Sequence, residues 1–311
     1  AMKASLAESG EGMPFAALAD GPLRNFFFPA QQTTLIPSLQ WDGADLSGLF
    51  DYLEQGETPP LEATGLISVG RAEATDMQTL VNGKRASFTE YSVLEPVEFE
   101  WLVPTKIRAT SRGMLTDMTA YVPADEPELL AIVKDHGLDK LSSEGSLSWA
   151  YDAGEGAADL TYDITMQDFG DVDMNFGLSG APLPQLYQAV TTENPMMLMG
   201  MAVDGLSIRI RDREMVDTAV EIAALQTGQD AGELRDSLPA MLELGSAQAA
   251  AVIPEINDYV AALSAFVSDG GTLEIAMTPD EPVPLMTLML LSQTSPQMIP
   301  STLALRVTHD E

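Results

Sequence analysis

Apolar residues occupy every second position over residues 145–179, which is the most regular pattern in the chain. The alternating apolar positions are Leu147, Trp149, Tyr151, Leu160, Tyr162, Ile164, Met166, Val172, Met174, Phe176 and Leu178. Mainly Asp, Thr and Ser fill the positions between them, and Gly- and Asp-rich breaks fall at residues 152–156 and 168–170. Such alternation is typical of strands with one face against a core and one face in water. It predicts a three-stranded antiparallel meander.

Similar but shorter patterns predict strands on both sides of the meander. Asn82-Gly83 separates two of them and predicts a tight hairpin, because both central residues of such a turn take positive φ. A second turn is predicted at residues 111–113. The predicted strands are 33–41, 66–74, 77–81, 85–93, 97–103, 106–110, 113–122, 205–211, 272–278 and 301–308.

Apolar positions spaced three or four residues apart predict helices, most of them in the second half. Asp45 is the predicted N-cap of the first helix, and Pro254 is predicted to kink the sixth. The predicted helices are 46–53, 126–136, 182–191, 215–228, 231–244, 247–267 and 284–292.

The polar face of nearly every predicted strand favours an antiparallel sheet, since parallel strands are normally apolar on both faces. We predict an α+β protein with a strongly twisted antiparallel sheet and C-terminal helices packed on its apolar face. Residues 1–138 are predicted to form an N-terminal, mainly β module with short helices. Residues 139–311 form a C-terminal α+β module, with one continuous domain as the alternative.

Charge and composition restrict the partners. The chain carries 47 acidic and 15 basic side chains, a formal net charge of −32 at pH 7. Nucleic acid is excluded as a partner, because phosphate is bound by clustered Lys and Arg. Adhesion to an anionic membrane surface through basic residues is disfavoured for the same reason.

The absence of cysteine excludes disulfides, thiol nucleophiles and zinc-thiolate sites. No apolar run approaches the roughly 18–20 residues that span a bilayer. Ala1 in front of Met2 indicates that an N-terminal targeting segment has been cut away. We therefore predict a protein without a transmembrane segment, with Phe26, Phe27 and Phe28 as an apolar anchor near the start.

Residues with catalytic potential are few. His136 lies in the last turn of a predicted helix, where the helix dipole stabilises an imidazolium, and His309 is predicted to be exposed. No nucleophile elbow, P-loop, dinucleotide fingerprint or zincin motif occurs. Asp171, Asp173 and Asn175 have the spacing of three calcium ligands, but the rest of that loop fails, so no metal is predicted. We expect no cofactor and favour a protein that is not an enzyme.

Three arginines stand out in the acidic second half: Arg209, Arg211 and Arg213. Their alternating positions place at least two of them on the polar face of a strand. They are candidates for a site that binds a small anion or an acidic partner. The alternative is cross-strand pairing with Asp163, Asp171 or Asp173.

Methionines are concentrated in two apolar C-terminal segments. Because methionine adapts to irregular apolar ligands, these residues are candidates for lining a hydrophobic cavity or groove. Ordinary core filling is the alternative. The candidate ligand-binding residues are Met196, Met197, Met199, Met201, Met286 and Met289.

The order of segments in the second half resembles exported proteins of alphaproteobacteria that have no assigned function. The resemblance covers roughly residues 130–311 and implies a periplasmic location, but it transfers no catalytic or binding residue. It is carried by Gly137-Leu138-Asp139, Trp149-Ala150-Tyr151-Asp152, Leu206-Ser207-Ile208-Arg209, Gly271-Thr272-Leu273-Glu274-Ile275 and Pro282-Val283-Pro284-Leu285.

These observations favour a non-enzymatic exported protein that binds an apolar small molecule or lipid in a cavity or groove between sheet and helices. One alternative is a cell-envelope interaction or structural protein without a small-molecule ligand, for which a protein partner is expected. Another is a hydrolase that uses carboxylates alone, since such chemistry needs only two acids at a set separation.

Overall fold

The computed structural model describes residues 32–253 and 255–311, which form an α+β protein around one antiparallel sheet. The predicted α+β class with an antiparallel sheet is confirmed, and the strong twist stays a prediction. The predicted anchor at Phe26 to Phe28 and the predicted kink at Pro254 lie outside the described residues.

The sheet contains thirteen strands, which alternate with helices mainly in the second half of the described chain. The strands are β1 (Gln32–Leu35), β2 (Ser38–Trp41), β3 (Ala72–Val81), β4 (Lys84–Leu94), β5 (Glu98–Glu100), β6 (Val103–Thr116), β7 (Leu141–Asp152), β8 (Ala157–Met166), β9 (Gly170–Ser179), β10 (Ala202–Asp212), β11 (Thr272–Met277), β12 (Val283–Pro284) and β13 (Leu305–Asp310).

Eight α-helices are described in residues 32–253 and 255–311. They are α1 (Ser47–Gln55), α2 (Pro127–Asp135), α3 (Leu183–Thr191), α4 (Met215–Thr227), α5 (Ala231–Ala250), α6 (Ile256–Asp269), α7 (Leu285–Thr294) and α8 (Ile299–Thr302). Short 3-10 helices are found at Met118–Ala120, Leu138–Lys140, Pro195–Gly200 and Pro296–Met298.

Most strands lie beside a strand that is close to them in sequence. The order across the sheet is β1-β3-β4-β6-β7-β8-β9-β10-β11-β13, with β2 paired to β3, β5 to β6 and β12 to β10. The predicted boundary between two modules, at residues 138 and 139, falls between β6 and β7. These two strands pair directly, so one sheet runs through both predicted modules.

The predicted three-stranded meander is present as β7, β8 and β9. Its register places Leu147 opposite Tyr162, and Tyr162 opposite Met174. Directly opposed residues share one face of a sheet, so the alternating apolar positions form a common apolar face. The predicted breaks are turns, and the second contains Asp168 with φ 60°.

The predicted hairpin at Asn82-Gly83 is confirmed. The two residues have φ values of 51° and 79°, and they join β3 to β4, which pair from Val81 opposite Lys84 onwards. Positive φ at both central positions matches the right-handed twist of the strands that flank such a turn.

Several strand predictions before the meander were wrong in their bounds. The strands predicted at 66–74 and 77–81 are the single strand β3, which begins only at Ala72. The predicted turn at residues 111–113 is a β-bulge inside the single long strand β6, between Ser111 and Met114. Gly113 has φ 60° there, and a bulge absorbs such a residue without ending the strand. The strand predicted at 97–103 stops at Glu100, because Trp101 has φ 54° and begins the turn into β6. The strand predicted at 33–41 is divided near Pro37, which cannot donate a ladder hydrogen bond.

Two C-terminal predictions also shift. Helix α5 continues to Ala250, so the predicted helix at 247–267 begins only at Ile256. The strand predicted at 301–308 begins at Leu305, because residues 299–302 form α8. Among the described residues, no helix combines the length and the apolarity needed to cross a membrane.

Helices cover the apolar face at the β11–β13 side of the sheet. Leu273 is buried in a cluster with residues of α4, α5 and α6, and Ile210, Ile275 and Val307 pack against the same cluster. A second cluster covers the face near β9 and β12, where Phe176 and Met277 pack with α7 residues. A third lies around Trp101 and Tyr151, against α3.

Candidate functional site

A row of apolar side chains crosses five neighbouring strands at the centre of the sheet. The register places its members directly opposite one another, strand after strand. We call this set the central row, and it consists of Ala109 (β6), Leu147 (β7), Tyr162 (β8), Met174 (β9) and Ile208 (β10). Four intervals of about 4.8 Å give it a length of about 19 Å.

Helices flank the central row without packing on it. Its members are all partly exposed, and none of them belongs to a buried cluster of the described chain. Two residues further along β10, Ile210 joins the cluster under α4 to α6. On the other side, Phe176 joins the cluster under α7. The row is therefore an open apolar strip between two helix-covered areas.

A shallow hollow of about 150 Å³ opens over one end of the row. Ala109, Leu147 and Tyr162 of the row line it, together with Gly145 and Ile164. Gly145 pairs with Ile164 in the β7–β8 register, and its missing side chain leaves the space above the sheet open. The hollow has an apolar floor with a small polar contribution from neighbouring serines.

Three of the six candidate methionines lie on an outer surface, and the other three are partly buried. The 3-10 helix Pro195–Gly200 contacts α7, so the structure brings the two methionine-rich segments together. Met196, Met286 and Met289 are 59%, 44% and 46% exposed. Met197, Met199 and Met201 are partly buried behind them. Leu285 and Leu288 form the inner face of α7 and pack on the second cluster, whereas Met286 and Met289 lie on the exposed side of this helix.

The three arginines are paired with carboxylates. Arg211 Nη1 lies 2.7 Å from Asp171 Oδ2, and Arg213 Nη2 lies 2.8 Å from the same oxygen. Arg209 Nη2 lies 3.0 Å from Glu274 Oε2. Asp171 was one of the predicted cross-strand partners, whereas Glu274 was not among them. The geometry is that of ion pairs, which supports the structural alternative for these residues over an anion site.

Two acidic residues of the meander, Asp171 and Asp152, have structural partners. Asp171, with its side chain 8% exposed, holds the two arginines. Asp152 Oδ1 accepts hydrogen bonds from the backbone N–H groups of Gly154 and Glu155, at 2.8 and 2.9 Å, in the turn after β7. That arrangement stabilises the turn by satisfying two backbone donors.

The helices α2 and α4 run side by side, with a histidine bridge at one end. His136 Nδ1 lies 3.1 Å from Glu214 Oε2, and His136 Nε2 lies 3.2 Å from Glu221 Oε2. The imidazole is 11% exposed. Burial by itself lowers the pKa of His136, but the hydrogen bonds and charges of Glu221 and Glu214 raise it more, so the pKa lies above its ordinary value of 6.5. Both ring nitrogens face acceptors, which favours the doubly protonated ring.

His309 is partly buried, contrary to the prediction that it is exposed. Its Nε2 lies 2.7 Å from the carbonyl oxygen of Gly270, and its ring meets Phe266 edge-on at 6.3 Å between centroids. These contacts tie the last strand to the end of α6.

The histidine bridge predicts a pH-dependent contribution to stability. A group whose pKa is raised on folding stabilises the folded state below its unfolded pKa, here 6.5, and this stabilisation is lost as the pH rises through the folded pKa. His136→Gln is therefore expected to destabilise the protein by about 1–2 kcal/mol near pH 5.5 and by much less at pH 8.5. Urea unfolding of both proteins across this pH range measures the difference.

The comparison of wild type with His136→Gln cancels the titration of the many acidic residues, which both proteins share. Lys134→Gln on the same helix serves as a control, because Lys134 is exposed and is expected to give a difference that does not vary with pH. A loss of stability in His136→Gln that stays constant from pH 5.5 to 8.5 contradicts the bridge as a charged interaction.

A family model described as "Uncharacterized protein" matches residues 163–310, slightly less than half of the chain. The matched segment begins within β8 and includes both methionine-rich segments, the three arginines and helices α3 to α8. No curated protein matches the chain. The match transfers no function to any residue.

The sequence pattern predicts strands that contain the central row, but it does not show that no helix packs on these residues. Leu147, Tyr162, Met174 and Ile208 all belong to predicted strands, and their pattern is the same as that of strand residues covered by helices. The contact between α2 and α4 was not predicted at all. Its only sequence signal is His136 at a helix end, next to a glycine, with no indication that Glu214 and Glu221 surround it.

Proposed function

We propose that the protein is an exported, non-enzymatic binder of an elongated apolar molecule, a lipid or a similar small molecule, which lies along the central row. The observation that carries this proposal is the row itself. Five apolar side chains lie in register on five adjacent strands, partly exposed and flanked by helix-packed clusters. The periplasmic location is part of the proposal and is supported by the resemblance of the second half to exported proteins.

The shape of the row favours a chain-like ligand. The strip is one residue wide on each strand and about 19 Å long. An extended apolar chain lying on it would remove side-chain surface from water at about 25 cal/mol per Å². The hollow beside Gly145 gives one end of the strip extra depth, which suits a thicker or bent part of the ligand.

Charge restricts the polar end of this ligand. The protein has a net charge of −32, so a carboxylate or phosphate monoester would be repelled by the field of the molecule. A neutral or zwitterionic head group meets no such repulsion. We therefore infer that the preferred ligand is a neutral or zwitterionic lipid.

Quenching of tryptophan fluorescence tests the proposal. Trp149 lies on β7 two residues from Leu147, on the same face. A monoacylglycerol with a brominated acyl chain is expected to quench Trp149 when it binds, and the free fatty acid with the same chain is expected to bind more weakly. Trp41→Phe removes the exposed tryptophan from the background.

Two pairs of substitutions locate the ligand. The double variant Ile164→Asn, Ile208→Asn places one amide beside the central row and one within it. We expect it to bind the ligand at least tenfold more weakly, because polar groups without hydrogen-bond partners would be buried under the ligand. Met286→Asn with Met289→Asn makes the matched change on the outer methionine surface and is expected to leave binding unchanged. Absence of quenching in the wild type, or equal binding by the Ile164/Ile208 variant, rejects the proposal.

Contact with another protein of the cell envelope is a second candidate function, favoured by the outer methionine surface. Met196, Met286, Met289 and Leu290 are 44–59% exposed on adjoining segments, and clustered exposed apolar residues often mark an interface. Sedimentation analysis of the wild type and the Met286/Met289 variant tests self-association through this surface. Concentration-dependent association that the variant loses supports the interface.

A further inference from the structure

A pocket of about 700 Å³ opens between the first turn of α2 and the last turns of α4. We call it the α2–α4 pocket. Its volume falls within the range of small-molecule sites, roughly 300–1,000 Å³. Leu129, Ile222 and Leu225 form its apolar floor. The pocket is separate from the central row, so the function proposed above does not depend on it.

The floor of the pocket is firmly held. Leu129 is 5% exposed and belongs to a buried cluster with Val133 and Leu138, against which Ile222 and Leu225 pack. The bridge from His136 to Glu214 and Glu221 ties the end of α2 to the start and the middle of α4. The apolar surface is thus carried by two helices whose separation is set by packing and by a charged contact.

Carboxylates surround the opening of the pocket. Asp125, Glu126 and Glu128 line it, and no lysine or arginine does. Within the described chain, no ion pair joins any of these three acids to a base. Glu128 lies in the first turn of α2, where the helix dipole stabilises a negative charge. Asp125 precedes the helix, and Glu126, its N-cap residue, makes no side-chain capping hydrogen bond.

We infer that the α2–α4 pocket binds a small organic cation with an apolar body, such as an arylalkyl- or alkylammonium ion. The apolar body would lie on Leu129, Ile222 and Leu225, and the ammonium group would lie among Glu126, Glu128 and Asp125. An anion of the same shape would be repelled by three carboxylates, and a neutral molecule would gain nothing from them. Charge complementarity therefore selects the cation.

Calorimetric titration of the full chain with three matched probes tests the inference. The probes are the 3-phenylpropylammonium ion, neutral 3-phenyl-1-propanol and the 4-phenylbutyrate anion. We expect one site that binds the cation at least about tenfold more tightly than the alcohol, with no measurable binding of the anion. Raising the salt concentration should weaken binding of the cation and leave binding of the alcohol unchanged.

Substitutions with matched changes in net charge separate a local site from the general acidity of the protein. Glu126→Gln with Glu128→Gln is expected to lower the affinity for the cation to about that for the alcohol. Glu54→Gln with Glu243→Gln removes two exposed acids elsewhere and is expected to change nothing. Gln226→Trp, which fills the pocket from an exposed position, is expected to abolish binding of both probes.

Several results would overturn the inference. They are equal affinities for the cation and the alcohol in the wild type, absence of cation binding at millimolar concentration, and equal effects of the two glutamate pairs. Circular dichroism on each variant identifies loss of fold, and the comparison of the probes on the wild type does not depend on any variant.

Discussion

Gly156→Ala is expected to destabilise the protein by about 4 kcal/mol, or to prevent folding. Gly156 has φ 71° in the turn between β7 and β8. A Cβ atom there would lie 2.1 Å from the backbone nitrogen of Pro182 and 2.3 Å from the backbone carbon of Ala181. Backbone atoms cannot rotate away as a side chain can, so the segment that leads into α3 would have to move.

That movement would disturb two hydrogen bonds of the same region. The backbone N–H of Ala181 donates to the carbonyl of Gly156 at 3.2 Å, and the Tyr151 hydroxyl donates to the carbonyl of Ala181 at 2.7 Å. Both tie the start of α3 to the meander. Loss of these contacts would loosen the cluster around Trp101 and Tyr151, which packs against α3.

Gly137→Ala is the matched control for Gly156→Ala. Gly137 has nearly the same φ, 68°, but a Cβ atom there would meet nothing within 4 Å. Its replacement carries only the conformational cost of a left-handed alanine, about 1–2 kcal/mol. Urea unfolding followed by circular dichroism measures both variants. Similar losses for the two would show that close approach of the backbone contributes nothing at Gly156.

Trp101→Ala is expected to destabilise the protein by about 3–5 kcal/mol. Trp101 is 7% exposed in a core shared with Tyr151 and α3. Its ring meets Tyr187 of α3 edge-on, at 5.2 Å between centroids, and its Nε1 donates a hydrogen bond of 3.1 Å to the carbonyl of Pro59. The substitution removes the largest side chain at this junction and leaves a cavity.

Two further variants separate the causes of the effect at Trp101. Trp101→Phe keeps most of the packing and loses the hydrogen bond to Pro59, so we expect a loss of about 1–2 kcal/mol. Trp41→Ala removes the same residue type where it is 53% exposed, and we expect a change below about 1 kcal/mol. Circular dichroism should follow unfolding, because the substitutions change tryptophan fluorescence. Equal losses at Trp101 and Trp41 would contradict a packing role for Trp101.

The central row and the α2–α4 pocket use the acidity of the protein differently. The row is apolar and lies on the face of the sheet opposite the arginines of β10, so the surrounding negative charge would act on the proposed ligand only at long range. The pocket has three carboxylates at its opening, so charge acts there at contact distance. Salt is therefore expected to distinguish the two sites, with a strong effect only on the pocket.

The sequence could predict those parts of the fold that depend on neighbours along the chain. Alternation over residues 145–179 predicts the meander, because successive strand residues point to opposite faces whatever lies above them. Asn82-Gly83 predicts its hairpin, since few residues adopt positive φ at two successive positions. Arg211 was correctly given Asp171 as one of its alternatives, because alternation places both side chains on the polar face.

Sequence reasoning was less successful where the outcome depends on distant contacts. It divided β6 at residues 111–113, although pairing with β4 and β7 on both sides carries the strand through a bulge. It left open whether the methionines line a cavity or fill a core, and only the structure places Leu285 and Leu288 on the inner face of α7. An apolar composition indicates that a segment contacts other apolar atoms or a partner. It does not indicate which side of the helix faces the sheet.

The sequence by itself therefore determined the antiparallel meander, its hairpin and the polar and apolar faces of the strands. Only the tertiary structure decided that helices leave Ala109, Leu147, Tyr162, Met174 and Ile208 uncovered, and that α2 and α4 enclose a pocket with an acidic opening. The physical reason is that alternation and turn chemistry act between neighbouring residues, whereas covering a sheet depends on where helices far along the chain come to rest.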